Sequence, residues 1–319
     1  MKKSVLPPDA FARDNIKYIS LLGKKADDND IVNIVRNDAI RQYVSAGHEY
    51  AEACSLADNY LQLPSTGDQM LMLLAGNNWY WGGRQVYRFD DTLAKLLSEQ
   101  TKDDINLDVS AISQLPCNDF FIMWESSHSH GFFVSVTETD IIFAELQQEG
   151  KMDASFIPLQ QGNIKDIIEN TIFSECDVKD YADDIKHMAY DISQKMQFVI
   201  YLATINAEIV PVTKGAIARR AKADTSKAPS RAYKTEISNV GYRIGAAVRQ
   251  SRYSYDKSGK SGERHGTRKA PHLRRSHFHS FWTGSGEKRK LVVKWVNTIF
   301  VNAGKGGSET TVHEVKKYE

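Results

Sequence analysis

The densest run of groups able to do chemistry is Pro271-His272-Leu273-Arg274-Arg275-Ser276-His277-Phe278-His279-Ser280-Phe281-Trp282. A strand repeats its side-chain direction every second residue. Arg275, His277 and His279 therefore share one face, and Phe278 and Trp282 the other. Gly284 and Gly286 permit a turn. A return strand then carries Leu291, Val293 and Trp295 on its apolar side, with Lys290 and Lys294 opposite. The spacing predicts a hairpin whose polar face holds imidazoles among cations.

Four chemistries remain open for that face. Guanidinium forks match phosphate oxygens, and nearby aromatics stack on bases. On that reading His272, Arg274, Arg275, His277, His279, Trp282, Lys290 and Lys294 contact nucleic acid, joined by Arg243 and Arg249 upstream. Alternatively, His277 and His279 act as general base and acid in metal-independent RNA cleavage. Arg274 or Arg275 then steadies the charged transition state. A His-x-His pair also offers two zinc ligands, but no Cys follows residue 176 and the surrounding cations disfavour a metal. Finally, the same groups can satisfy one another as a hydrogen-bonded network that fixes the fold. No metal and no small-molecule cofactor is expected.

Other constellations are weaker. The sequence has no Walker loop, no GxGxxG opening a helix, no HExxH and no nucleophile elbow. His128 and His130 lie among Ser126, Ser127 and Ser129 with no third member to orient them. Asp183, His187 and Asp191 recur every four residues and read as a solvated helix face, not a metal site. Asp191 and Lys195 read as an ordinary pair along that helix.

The elements that must position these groups follow from periodicity. Apolar residues recur at helical spacing through 9–63. Residues 68–98 read as a helical pair around Trp79-Tyr80-Trp81-Gly82-Gly83, with the aromatics as a core plug. Short aromatic and β-branched runs at Phe120–Trp124, Phe132–Val136 and Ile141–Phe143 read as strands. Tyr181, Ile185, Met188, Ile192, Met196 and Val199 mark a long helix over 177–207. Ile237, Val240, Ile244 and Val248 suggest a short amphipathic helix, with Gly241 and Gly245 allowing close packing. The basic stretches 211–235 and 251–270, rich in Ser, Gly, Ala and Pro, read as loops.

Charge is divided unevenly. Residues 1–210 hold 17 Lys and Arg against 32 Asp and Glu, a balance of −15, while residues 211–319 hold 24 against 8, a balance of +16. Halves of opposite sign suit different partners, the basic one a polyanion, or else neutralise each other. The 319 residues, 41% hydrophobic and 25% charged, exclude collagen, a coiled coil and a wholly disordered chain. Cys54, Cys117 and Cys176 are isolated, which argues against a disulfide scaffold and for a reducing cytoplasm. No signal peptide or membrane span is expected. The fold class expected is α+β: a helical N-terminal region (1–106), an acidic α+β region (107–210) and a basic C-terminal region (211–319) with a His/Arg-rich hairpin.

The stretch PHLRRSHFHSFWTGSG, followed by VVKWVNTIFVNAG, resembles a type V-A anti-CRISPR family. Leu115-Pro116 before a β run, Gly131-Phe132-Phe133, the helix with Phe198 to Leu202 and Val240-Gly241-Tyr242-Arg243-Ile244-Gly245 agree in order, so the likeness spans 107–305. Phe278 stands where the family usually has Trp, Asn118 and Asp119 replace Trp-Cys, and Asn297 replaces a common Pro. The resemblance implies a phage- or plasmid-encoded protein in the cytoplasm of a bacterial host. It implies recognition of the type V CRISPR effector nuclease, through its N-terminal part during translation, and loss of the effector's mRNA. The partners implied are the nascent polypeptide, its message or the ribosome, with no membrane. On this view Asp180, Asp183, Asp184 and Asp191 offer the effector an acidic docking face, while the basic half touches RNA. Whether the chain is itself an enzyme stays open.

Overall fold

The structure is a computed structural model. It describes residues 5–23, 28–99, 106–127, 129–147, 152–174, 180–212, 234–258, 272–274, 277–285, 289–296 and 299–301. The N-terminal region is helical: α1 (Pro7–Asp14), α2 (Ile16–Leu22), α3 (Asp28–Ser45), α4 (Tyr50–Leu61) and α5 (Pro64–Trp81). Then follow β1 (Gln85–Phe89), α6 (Asp91–Ser98), β2 (Asn106–Leu107), α7 (Val109–Ile112), β3 (Asp119–Met123), β4 (Ser129–Val136), β5 (Asp140–Gln147) and β6 (Met152–Pro158). Next are β7 (Gly162–Asn163), α8 (Ile164–Thr171), α9 (Ala182–Ala203), β8 (Ile209–Pro211), β9 (Glu236–Val240) and α10 (Tyr242–Ser258). The last strands are β10 (His272–Arg274), β11 (His277–Thr283), β12 (Lys290–Val296) and β13 (Ile299–Val301). The protein is α+β, as its periodicity predicts.

Helix starts follow local chemistry. Asp90, Asp108 and Asn163 cap α6, α7 and α8, each side chain accepting a hydrogen bond from the backbone two residues on. Proline opens α1 and α5, where a missing N–H costs nothing.

Seven strands form one mixed sheet in the order β6-β5-β4-β3-β1-β9-β8. β1 runs parallel to both β3 and β9, and the remaining neighbours are antiparallel. Alternation along the strands supplies two cores. Tyr87, Phe89, Phe120, Ile122, Phe132 and Val134 pack with α6, α8 and α9. Val86, Phe121, Phe133, Ile142 and Ala144 pack with α1, α2, α3 and α5. Phe121 and Phe133 meet with ring centroids 4.8 Å apart, so truncating either costs about 3–5 kcal/mol.

Three expectations need correction. The helical pair expected over 68–98 is helix, strand, helix, because Gln85–Phe89 is the strand between β3 and β9. Covered by helices on both sides, it lacks the alternation that marks a half-exposed strand. The helix expected from Ile237 starts only at Tyr242, since Glu236–Val240 is β9 and Gly241 turns the chain at φ +71°. The basic stretch expected as a loop from residue 251 continues α10 to Ser258, while 213–233 and 259–271 lie outside the described residues. The aromatic plug holds: Trp79 is fully buried and its Nε1 donates to Gln85 O at 2.9 Å.

Candidate functional site

β11 and β12 pair antiparallel, with His277 opposite Val296, Phe278 opposite Trp295, His279 opposite Lys294 and Trp282 opposite Leu291. Directly opposed residues share a face. One face of the hairpin therefore carries Phe278, Val293 and Trp295, and the other carries His277, His279, Phe281 and Lys294. The first is anchored: Trp295 packs against Phe278 at 4.8 Å and Tyr201 of α9 at 5.7 Å between centroids. Asn206, just past α9, clamps the backbone of Trp295, its Nδ2 donating to Trp295 O and its Oδ1 accepting from Trp295 N, both at 2.9 Å. Ile205 N also donates to Val293 O at 3.1 Å.

The polar face looks outward. His279 and Lys294 are exposed side by side, and His277 is half-buried. Trp282 is 64% exposed. Lys290 begins β12 opposite Thr283, and Arg289 before it is exposed. His272 and Arg274 lie in β10, which pairs with β13 and not with β12, so the single long strand expected over 272–282 is two strands with separate partners. Arg275 lies outside the described residues. A cavity of about 110 Å³ opens beside Tyr18, Asp38 and Tyr60, and a shallower hollow lies beside Val210, Asn239 and Tyr242. Neither is lined by His277 or His279.

Arg243 and Arg249 each pair with a largely buried carboxylate while their own side chains stay exposed. Arg243 Nε donates to Glu208 Oε1 at 3.0 Å, and the same carboxylate accepts from the backbone N of Arg243 and Ile244. Glu208 thus caps α10 from a distant loop, where a carboxylate also meets the helix dipole favourably. Arg249 pairs with Asp90. Neither acceptor carries a local sequence signal, because each is brought in from far along the chain.

The acidic residues divide in two. Asp180, Asp183 and Asp184 are exposed around the start of α9, as is His187. Asp191 instead turns inward to Lys195 Nζ at 2.6 Å. Lys195 also reaches Glu145 of β5 at 3.5 Å, and its side chain is only 6% exposed. The expected helix pair is present, but its lysine is buried and also reaches a carboxylate of the sheet, while the acids stay partly exposed. Glu145, Asp153 and Asp191 place oxygens within 4.8 Å of one another, and Lys195 pairs with the first and the last. No helix among the described residues is long and apolar enough to cross a membrane.

Comparison with known proteins gives one family match. The model described as AcrVA2-like, the anti-CRISPR type V subtype A2 family, matches residues 87–303, more than half of the chain. A crystal structure of AcrVA2 aligns at 16% identity and a TM-score of 0.47, covering 92% of this chain and 97% of that one. No curated protein matches.

Proposed function

The chain belongs to the AcrVA2-like family and is an anti-CRISPR protein directed at type V-A systems, and from that premise we propose that it lowers the amount of the effector nuclease. It recognises the N-terminal part of the nascent effector polypeptide in the bacterial cytoplasm and causes loss of the message being translated. The observation that carries this reading is the outward face of the β11–β12 hairpin, where His279 and Lys294 stand exposed beside each other. The sequence of that segment also carries Arg274, Arg275 and Lys290, and positive charge suits RNA phosphates. Asp180, Asp183 and Asp184, exposed on another element, suit a Lys- and Arg-bearing polypeptide.

The test is a reporter carrying the effector's first codons, co-expressed with this chain. Synonymous recoding keeps the peptide and changes the RNA; a compensated frameshift does the reverse. Transcript loss should follow the peptide. Unchanged reporter message and protein with the intact leader would overturn the proposal. Replacing Asp180, Asp183 and Asp184 together by Asn should weaken peptide binding and spare RNA contact.

A second reading, metal-independent RNA cleavage, draws on the placement of His277 and His279 on one face of β11, with Lys294 across from His279. Purified protein, labelled transcript and a chelator decide it. Cleavage that His279→Ala abolishes supports an enzyme. An intact transcript, with message loss in cells retained by His279→Ala, leaves the protein a binder that recruits host decay.

A further inference from the structure

The hairpin outruns the core that supports it. At its base the inward row is covered, with Val293 4% and Trp295 1% exposed and Phe278 packed on Trp295. Trp282 occupies the same row four residues beyond Phe278. Its register assigns it to the apolar face, yet it is 64% exposed, because α9 and the Asn206 clamp support only the base. An indole carries one of the largest apolar surfaces of any side chain, and burying it would be favourable. Here it is held out on a paired strand, next to a turn that Gly284 opens at φ +88°.

The surroundings specify the occupant. Residues 272–301 contain six Lys and Arg and one Glu. Arg289, exposed just before β12 at the turn next to Trp282, belongs to that set, and Lys294 is exposed on the opposite face. A projecting aromatic among cations matches a chain of phosphates bearing flat, unpaired rings. Base–aromatic stacking needs a free π-face, which a duplex hides within its own stack. A peptide partner would have to bring a carboxylate and a flat ring to this point together, whereas every nucleotide carries both a negative charge and a ring.

We infer that Trp282 is a stacking platform for an unpaired base of single-stranded RNA, with Arg289, at the same end of the hairpin, taking a flanking phosphate. The inference rests on the proposed contact between hairpin and RNA and adds the form of RNA that is bound. Trp282 sets the preference for single strands, and the cations set the salt dependence. Stacking is tolerant of sequence, so the hairpin grips whichever message lies within reach, and selectivity for the effector comes from the polypeptide side.

Fluorescence anisotropy on the full-length protein tests it, with a labelled oligouridine strand and the same strand annealed to oligoadenosine. The wild type should favour the single strand. Trp282→Ala should weaken single-strand binding roughly tenfold with the salt slope unchanged, while Trp282→Phe retains most of the affinity. Arg289→Ala should lower the salt slope by about one. If Trp282→Ala binds the single strand as the wild type does while Arg289→Ala weakens it, the stacking role is wrong and RNA contact stands. Equal loss on single strand and duplex in Trp282→Ala also refutes stacking. If the wild type binds neither RNA, the hairpin reading fails and this inference fails with it.

Discussion

Asp90 and Arg249 stand 159 residues apart in sequence and meet in a forked contact, with Arg249 Nη1 donating to Asp90 Oδ1 at 2.8 Å and to Oδ2 at 3.0 Å. The Asp90 side chain is 7% exposed and also caps α6 through Thr92 N. One carboxylate thus starts one helix and holds another. Arg249→Ala would leave that carboxylate short of its counter-charge and should cost about 2 kcal/mol. Asp90→Ala, which also removes the cap, should cost more, about 3 kcal/mol. Urea midpoints read both. RNA affinity should hold in Arg249→Ala, because its guanidinium is engaged by Asp90 and Thr92.

The contact depends on a missing side chain. A Cβ on Gly245 would lie 1.8 Å from Asp90 Oδ1. Gly245→Ala should therefore push α10 away from α6 and destabilise the protein by about 1–3 kcal/mol, despite alanine's better helix propensity. A melting temperature at or above that of the wild type would contradict this geometry.

Lys195 predicts a larger effect. Removing its ammonium leaves Glu145, Asp153 and Asp191 crowded against the sheet without compensation. Lys195→Met should cost about 2–4 kcal/mol at neutral pH, less than for a fully buried pair because the partner acids are partly exposed. Urea denaturation reads the loss, and an unchanged midpoint would refute it.

Two carboxylates pull the acid limb of stability in opposite directions. The Tyr18 hydroxyl donates to Asp38, and with Lys17 and Gln42 also donating it holds the Asp38 pKa below its usual value. A depressed folded pKa gives stability that is complete above the unfolded pKa near 3.9 and is lost as pH falls through the folded one. Asp38→Asn should flatten the decline below about pH 4. Burial raises the Asp119 pKa against the opposing hydrogen bond from Ser135. Its contribution is present at low pH and lost as pH rises through the folded pKa, so Asp119→Asn should steepen the acid decline. Chemical denaturation from pH 3 to 7 separates the two.

Much of the fold was legible. Asp177 to Ala207 reads as a helix because its apolar residues return every three to four positions, and α9 spans Ala182–Ala203. The runs at Phe120, Phe132 and Ile141 are strands. β1 escaped notice because a strand buried on both faces has no period to detect. β9 hid behind Ile237, Val240, Ile244 and Val248, a helical spacing that a left-handed turn at Gly241 interrupts. In the hairpin, alternation alone assigned Phe278 and Trp295 to one face and His279 and Lys294 to the other.

Local spacing thus determined the element types, the hairpin and its two faces, because strand and helix periods are properties of neighbouring residues. Tertiary structure decided which charges are paired with distant partners. Arg243 goes to Glu208, Arg249 to Asp90 and Lys195 to Glu145. It also decided that Trp282 projects beyond its support. The physical reason is that pairing and exposure depend on which distant segments arrive alongside, and residues that meet only after the chain has folded leave no shared pattern along it.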